Sequence, residues 1–444
     1  MFFLWILFLL LSGSREALAQ TSSPAATDAL FARLLAAIRQ IQIIDNHAHP
    51  ALPGDLEREV LSFTSAGGIP QETPTLPFRL RPNNVELIPA FHALYGYMHS
   101  DLSLEHLREL AALKKEKRAS ADASYFNTVL DEAGISISLA NRVGMANTPL
   151  DRRRFKWVPS VDAYLFPLNN SVYKKQHPIF EDFFSSEEKV LERYFTLVET
   201  ARPRRFDAYL RFVHESVSRL KADGAIAVKF EVAYLRPLYF EDPSQRQARR
   251  IYERYRSTTE VPEDEYRKLQ DALFRYLLRE VTALGLPVHI HTGIGTRDAL
   301  RLGNTNPLLL ENLVTDPQYR TTKFVLLHGG YPFTREAKLL TGKPNVFLDT
   351  SGLSLYLYPE EFARIVKEWL SFYPEKVLFG TDATVMSDLI GAEEAYWLAA
   401  ESGRQALARA LTEMVQEKRC DEAEALRLAR LILHDTAAKL YGLP

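Results

Sequence analysis

The chain has 444 residues, of which 46% are hydrophobic and 25% charged, and its formal net charge is −2. These values belong to a globular protein, and a net charge near zero with no long run of one sign gives no electrostatic basis for binding nucleic acid. The single cysteine, Cys420, excludes an intrachain disulfide and a thiolate zinc site, whereas eleven histidines remain available for other chemistry.

In chain order, the first feature is the apolar run Phe2 to Leu11, about half the length a helix needs to cross a bilayer. Ser12-Gly13-Ser14 and then Ala17-Leu18-Ala19 follow it, a small-x-small cleavage pattern, although no Lys or Arg precedes the apolar run. This predicts a signal peptide over residues 1–19, cleavage before Gln20, and a periplasmic or secreted protein. A membrane becomes a partner only if that segment is retained as an anchor.

Residues 20–444 read as one domain. Short apolar runs alternate with helical stretches, the pattern of βα units. Strands are expected at Ile41–Asn46, Ile135–Ala140, Phe155–Asp162, Ala225–Phe230, Leu286–His291, Lys323–His328, Asn345–Asp349 and Lys376–Gly380. Helices are expected at Phe206–Lys221, Glu263–Ala283, Glu360–Phe372 and Gly403–Arg419. Eight strands with intervening helices define an α/β fold of the (β/α)8 TIM-barrel type. The Pro- and Gly-rich stretch Pro50–Asn84 reads as an insertion after the first strand, and Phe166–Arg204 as one after the third. Both would follow strand C-termini, where barrel enzymes carry their substrate loops. The segment Phe91–Tyr97 reads as the core face of a helix, and the run Lys114–Arg118 as a solvated helix face. His92, His99, His106, His177, His214 and His434 fall in helical or inserted segments and are assigned structural or exposed positions. Cys420 falls in helical pattern beyond the last strand and reads as an inert thiol.

Chemistry concentrates at strand ends. IIDNHAHP (43–50) places His47 and His49 two apart after an apolar strand, so alternation points both imidazoles to one side. Two such imidazoles can chelate one divalent ion at about 2.1 Å. LPVHIHTG adds His289 and His291, FVLLHGGYP adds His328, VLFGTDA adds Asp382, and AIAVKFE adds Lys229 and Glu231. Polar groups confined to strand C-termini are what an active site at a barrel mouth requires. Histidine and carboxylate ligands without cysteine suit Zn2+, with Mn2+, Fe2+ or Ni2+ as alternatives. Arg236, Arg142 and Tyr234 follow strand ends as well and are candidates for holding substrate, the arginines through a carboxylate that matches their fork.

Taken together, the HxH pair, the strand-end lysine, HTG, LLHGGYP, GTDA and the ending HDTAAKLYGL resemble the amidohydrolase superfamily, in its amidohydrolase-2 branch. FDAYLR (206–211), AYLRPL after Lys229, and HTGIG (291–295) are similar to the barrel domain fused to glutamine-synthetase-like proteins, here expected to stand alone. The resemblance covers essentially the whole chain after residue 19. It implies that His47, His49 and His291 are metal ligands and that Asp382 is both ligand and proton acceptor. It makes His328 a ligand, where two metals bind, or a transition-state stabiliser. His289 becomes a second-layer residue orienting a neighbour. Lys229 is a ligand only if carbamylated, as in two-metal members; otherwise Glu231 pairs with it and leaves it to bind a substrate carboxylate. The expected activity is hydrolysis of a C–N or C–O bond in a small molecule by a metal-activated water. A metal-dependent decarboxylase, a sugar-acid isomerase and a non-catalytic binding protein stand as alternatives. Oligomeric state is left open, a homo-oligomer included.

Overall fold

The computed structural model describes residues 24–51, 77–81, 83–119, 124–145, 148–258, 260–295, 300–387 and 389–444. The expected signal segment 1–19, and most of the expected insertion Pro50–Asn84, lie outside these residues. Among the described residues there are eight strands: β1 (Ile43–Ala48), β2 (Ile135–Asn141), β3 (Phe155–Val158), β4 (Val228–Phe230), β5 (Val288–His291), β6 (Phe324–Leu327), β7 (Val346–Asp349) and β8 (Val377–Leu378). They are nearly all buried, as expected of parallel strands covered on both faces. β1, β2 and β3 form one parallel sheet and β4 to β8 another, each strand pairing with its sequence neighbour.

Backbone hydrogen bonds join these sheets at both seams. Ile226 N and Lys229 N donate to Trp157 O (3.0 Å) and Pro159 O (2.9 Å), linking β3 to β4. Asn46 N and His49 N donate to Phe379 O (2.9 Å) and Ala383 O (2.8 Å), linking β1 to the segment after β8. The ring is therefore the (β/α)8 arrangement expected of the sequence.

Among the helices are α1 (Pro24–Ile38), α2 (Ile88–Tyr95), α3 (Leu104–Ala119), α4 (Tyr125–Ala133), α5 (Ser171–Gln176) and α6 (Glu181–Leu197). α7 (Phe206–Ala222), α8 (Gln245–Tyr255), α9 (Glu263–Ala283), α10 (Glu311–Val314) and α11 (Thr334–Leu340) come next. The series ends with α12 (Leu353–Tyr356), α13 (Pro359–Leu370), α14 (Ala392–Gln416), α15 (Glu422–Arg430) and α16 (Thr436–Tyr441). α5 and α6 are the expected insertion after β3. α6 buries Phe183, Phe184, Val190, Leu191, Tyr194 and Phe195, the 3–4 residue spacing of a helix face, and Tyr194 stacks on Tyr164 with ring centroids 4.7 Å apart. Each such side chain contributes about 1.5–3 kcal/mol of burial. Inside the ring, Ile44, Ile137, Leu139, Val158, Ala227, Val325, Leu327 and Leu378 form a separate apolar cluster with Ala437, which closes it from the C-terminal helix.

Three expectations are corrected here. α14 starts at Ala392, eleven residues before the expected helix, because Glu394 reaches back to Gly391 N at 2.7 Å and caps it there. Cys420 lies in the turn between α14 and α15, not in a helix, and is half-buried. Lys114–Arg118 is not a solvated face throughout: Lys114 is buried in an ion pair with Glu394, and Arg118 pairs with Glu393 at 2.9 Å. The alternation of charge that suggested solvent hides two partners about 275 residues away. Phe91 and Tyr95 of α2 are buried in the core, as expected.

Candidate metal centre

β1 carries His47 and His49 to the mouth on one side. Their Nε2 atoms lie 3.2 Å apart, and both face Asp382 Oδ1, at 3.5 Å and 3.6 Å. His328, at the end of β6, places Nδ1 3.9 Å from Asp382 Oδ2, and ligand atoms of His47, His328 and Asp382 all lie within 4.8 Å of one another. His291 joins through its Nδ1, 3.1 Å from His328 Nε2. Lys229 Nζ sits 3.2 Å from His47 Nε2 and 3.5 Å from Glu231 Oε1. Six of the residues expected at the centre thus converge, from β1, β4, β5, β6 and the segment after β8.

Local backbone conformation sets these side chains. His328 and Asp382 are both in the left-handed region, φ 60° and 59°, a conformation costly for a residue with a Cβ and held here by long-range bonds. Asp382 N donates to His47 O at 2.8 Å. Gly293 of the HTG motif has φ 69°, and a Cβ there would overlap the backbone of Gly330 and Tyr331. His328 Nδ1 lies 3.0 Å from Ser351 O, a pure acceptor, so it carries the proton and leaves Nε2 with its lone pair. Ser351 in turn is tied to Asp349, which also accepts from Asn46 Nδ2 at 2.8 Å. Asn46 Oδ1 accepts from Tyr441 OH at 2.5 Å, and the same hydroxyl meets His289 Nε2 at 2.7 Å. His289, paired in register with Lys229, therefore serves the layer beneath the mouth.

Burial dominates the electrostatics. It holds His47, His49 and His291 well below the usual imidazole range, and His289 and His328 down to about 3, with the Lys229 charge adding to the shift in each. All five are therefore neutral, as metal ligands must be. Desolvation pushes Asp382 up to about 8 against the lowering effect of Lys229, and pushes Asp45 to about 7 and Asp349 to about 6. A pocket of lone pairs around a carboxyl that burial discourages from ionising is a site matched to a cation. Buried His291 Nε2, with no hydrogen-bond partner among the described residues, is a further donor atom left for one.

A small cavity opens over this cluster, lined by His49, Lys229, Glu231, Tyr234, His291 and Asp382 together with Tyr356 and Thr384. Tyr234, expected from sequence, is in place, its ring 4.6 Å from that of His291. Neither expected arginine lines this cavity. Arg236 is buried in an ion pair with Asp271 of α9 at 2.6 Å and donates to Tyr239 O, so its fork is already filled. Arg142 donates to Pro50 O at 2.6 Å and to Gly144 O.

The sequence reading passed over Asp349, Asp45, Tyr441, Tyr356 and Glu187. Asp349 ends an apolar strand and obeys the rule that singled out Lys229 and Asp382. Glu187 is a buried residue of α6 whose carboxyl, like that of Asp162, is raised first by burial and then by the charge of neighbouring acids. No local pattern marks Tyr356 or Glu187.

A parallel eight-stranded ring with a histidine and aspartate cluster at its C-terminal mouth defines a metal-dependent hydrolase-type barrel. The amidohydrolase family profile matches residues 219–443, about half of the chain, and the chain belongs to that family, in its amidohydrolase-2 branch. Protein fluG of Emericella nidulans is 30% identical over 251 residues, 54% of this chain and 28% of that protein, so the match spans under a third of the relative's length. Among solved structures, a protein from Lactobacillus casei named as a metal-dependent hydrolase aligns over 92% of this chain and 97% of its own, at 20% identity and a TM-score of 0.61. A glucuronate isomerase from Caulobacter crescentus aligns over 95% of both chains, at 17% identity and a TM-score of 0.61. At these identities the likeness is one of fold, and it extends to the first three strands, which the family profile does not reach.

Proposed function

We propose that the chain is an exported metal-dependent hydrolase that cleaves an amide, ester or lactone bond of a small molecule. The observation that carries this reading is the convergence of His47 Nε2, His49 Nε2 and Asp382 Oδ1 within 3.6 Å under a small cavity. His47, His49, His291 and Asp382 would hold a Zn2+, with Mn2+, Fe2+ or Ni2+ as substitutes. Such an ion supplies a water whose pKa falls to about 7.

The chain's own part is proton transfer and positioning. Asp382 accepts the proton as water oxygen bonds to the carbonyl carbon, and returns it to the nitrogen or oxygen that leaves. His328 fits a ligand better than an oxyanion donor, since its one proton is committed to Ser351 O. Tyr234 bounds the substrate. Lys229 has two readings: carbamylated, it would be a further ligand where two ions bind; as an amine, it would pair with Glu231 beside one ion.

The test is elemental analysis of purified protein followed by a screen of N-acyl amino acids, γ-glutamyl compounds, lactones and aromatic acids with Zn2+ or Mn2+ supplied. Uronates belong in the screen because two of the fold neighbours, from Caulobacter crescentus and Thermotoga maritima, are named as glucuronate and uronate isomerases. Hydrolysis that a chelator abolishes and metal restores is the expected result. Substoichiometric metal overturns the site, and isomerisation or decarboxylation without hydrolysis overturns the reaction class.

A further inference from the structure

Within the hydrolase reading, one need is unmet by the residues so far placed: a donor for the oxygen that gains charge as water adds to the carbonyl. His328 cannot serve while Nδ1 is bound to Ser351 O and Nε2 faces His291 at 3.1 Å. Lys229 faces His47 and Glu231. Among the residues lining the cavity, however, is Tyr356, the last residue of α12, which follows β7.

Three observations describe it. Tyr356 is half-buried and lines the cavity. Its edge shares a small space with the reacting groups. A Cβ built on Gly352 would lie 3.3 Å from His328 Nδ1, 3.4 Å from Asp382 Oδ2 and 3.8 Å from Tyr356 Cδ2. And among the described residues nothing hydrogen-bonds the Tyr356 hydroxyl, whereas the other tyrosines at the centre of the barrel are committed: Tyr441 to Asn46 and Tyr396 to Ser138. A half-buried phenol that lines an active-site cavity and has no hydrogen-bond partner among the described residues is placed for a ligand.

We propose that Tyr356 is a catalytic residue whose hydroxyl donates a hydrogen bond to the oxyanion of the tetrahedral intermediate. The step balances without net transfer from the tyrosine. Water oxygen bonds to the carbonyl carbon, its proton goes to Asp382, and the π electrons move to the oxygen that Tyr356 then holds. As the oxyanion re-forms the carbonyl, the C–N or C–O bond breaks and Asp382 returns the proton to the leaving group. Tyr356 keeps its own proton throughout.

Tyr356→Phe removes only a hydroxyl that has no partner among the described residues, so the fold and metal content are expected to stay those of the parent. On a substrate found in the screen, kcat should fall about 10²-fold, as for other single oxyanion donors, with KM changed little. Inorganic phosphate, a tetrahedral oxyanion, serves as a probe independent of turnover: calorimetry on zinc-loaded protein should show about tenfold weaker binding to Tyr356→Phe than to the parent. Tyr234→Phe, measured alongside, should shift KM more than kcat. Unchanged kcat and unchanged phosphate affinity in Tyr356→Phe overturn the proposal, as does a loss confined to KM or accompanied by loss of metal. If the parent hydrolyses nothing in the screen, the hydrolase reading fails, and the phosphate comparison alone then decides whether Tyr356 is an oxyanion donor.

Discussion

Asp382→Asn separates the electrostatic cost of the metal centre from its catalytic use. Burial raises the Asp382 carboxyl to about 8, from an ordinary 3.8. In the metal-free protein the folded state therefore binds a proton that the unfolded chain has already lost, and stability falls as pH rises towards 8. The five buried histidines act oppositely, because their folded values are depressed: the unfolded chain takes up protons around and below 6.5, so their contribution rises with pH and levels off about one unit above that value. That rise is common to the parent and Asp382→Asn, so the difference between the two over the window from pH 6.5 to 8 isolates Asp382. At about 1.4 kcal/mol per unit, Asp382 alone costs about 2 kcal/mol across it. Its side chain keeps 13% of its surface exposed, so water recovers part of this and about 1–2 kcal/mol is expected. Asp45 and Asp162, raised to about 7 and about 8, add slope of the same sign, but they are common to both proteins. Urea unfolding in chelator at pH 6.5 and 8 provides the assay. Metal-free Asp382→Asn should lose about 1–2 kcal/mol less than the metal-free parent between these pH values, while zinc-loaded parent should show a shallower slope than either. Parallel pH profiles for the parent and Asp382→Asn would refute the account of this carboxyl as a group held against its ionised state.

Other perturbations probe the frame around the centre. Tyr441→Phe leaves Asn46 Oδ1 and His289 Nε2 buried without a partner, and should cost about 1–3 kcal/mol in urea unfolding. Lys114→Met strands the buried Glu394 carboxylate and its cap on α14, for an expected loss of about 3–5 kcal/mol. Gly352→Ala forces a Cβ into a backbone with φ 76° and within 3.4 Å of His328 and Asp382. A cost of about 1–3 kcal/mol is expected there, with a drop in zinc affinity by calorimetry that Lys114→Met does not show.

How far the sequence reached follows from what each signal measures. Strand-end histidines stand out because an apolar run makes the polar residue after it conspicuous, and every strand that carried the expected ligands was located within a few residues. Asp45 escaped because it sits inside the run IIDN rather than after it, and its partners Ser138 and Thr381 are brought to it by β2 and the segment after β8. The positive φ of His328 and Asp382 has no residue-type signature, since glycine would mark such a position and these are not glycine. Arg236 shows the opposite failure: a fork beside a strand end looks available until the fold brings Asp271 to it from α9. Tyr356 and Glu187 depend on how a loop and an insertion pack over the mouth, which no local window contains.

The geometry around Lys229 limits how the centre can fill. As an ammonium, Lys229 Nζ donates to His47 Nε2 at 3.2 Å and so uses the lone pair that a metal ion would need. His47 can become a ligand only if that amine loses its charge or swings to Glu231 Oε1, 3.5 Å away, a buried oxygen that now lacks a hydrogen-bond partner. The two routes respond differently to Glu231→Gln. If Lys229 swings away, removing the Glu231 charge leaves the ammonium at His47, and zinc affinity should fall about 10–100-fold, the range seen when groups that set a ligand's state are lost. If Lys229 is carbamylated, Glu231→Gln should leave affinity nearly unchanged. Metal loading should then depend on bicarbonate, and Lys229→Met should reduce two bound ions to one. Calorimetric zinc titration of the two variants, with and without bicarbonate, distinguishes these. Retention of full affinity by both variants without bicarbonate would show that His47 is not among the ligands.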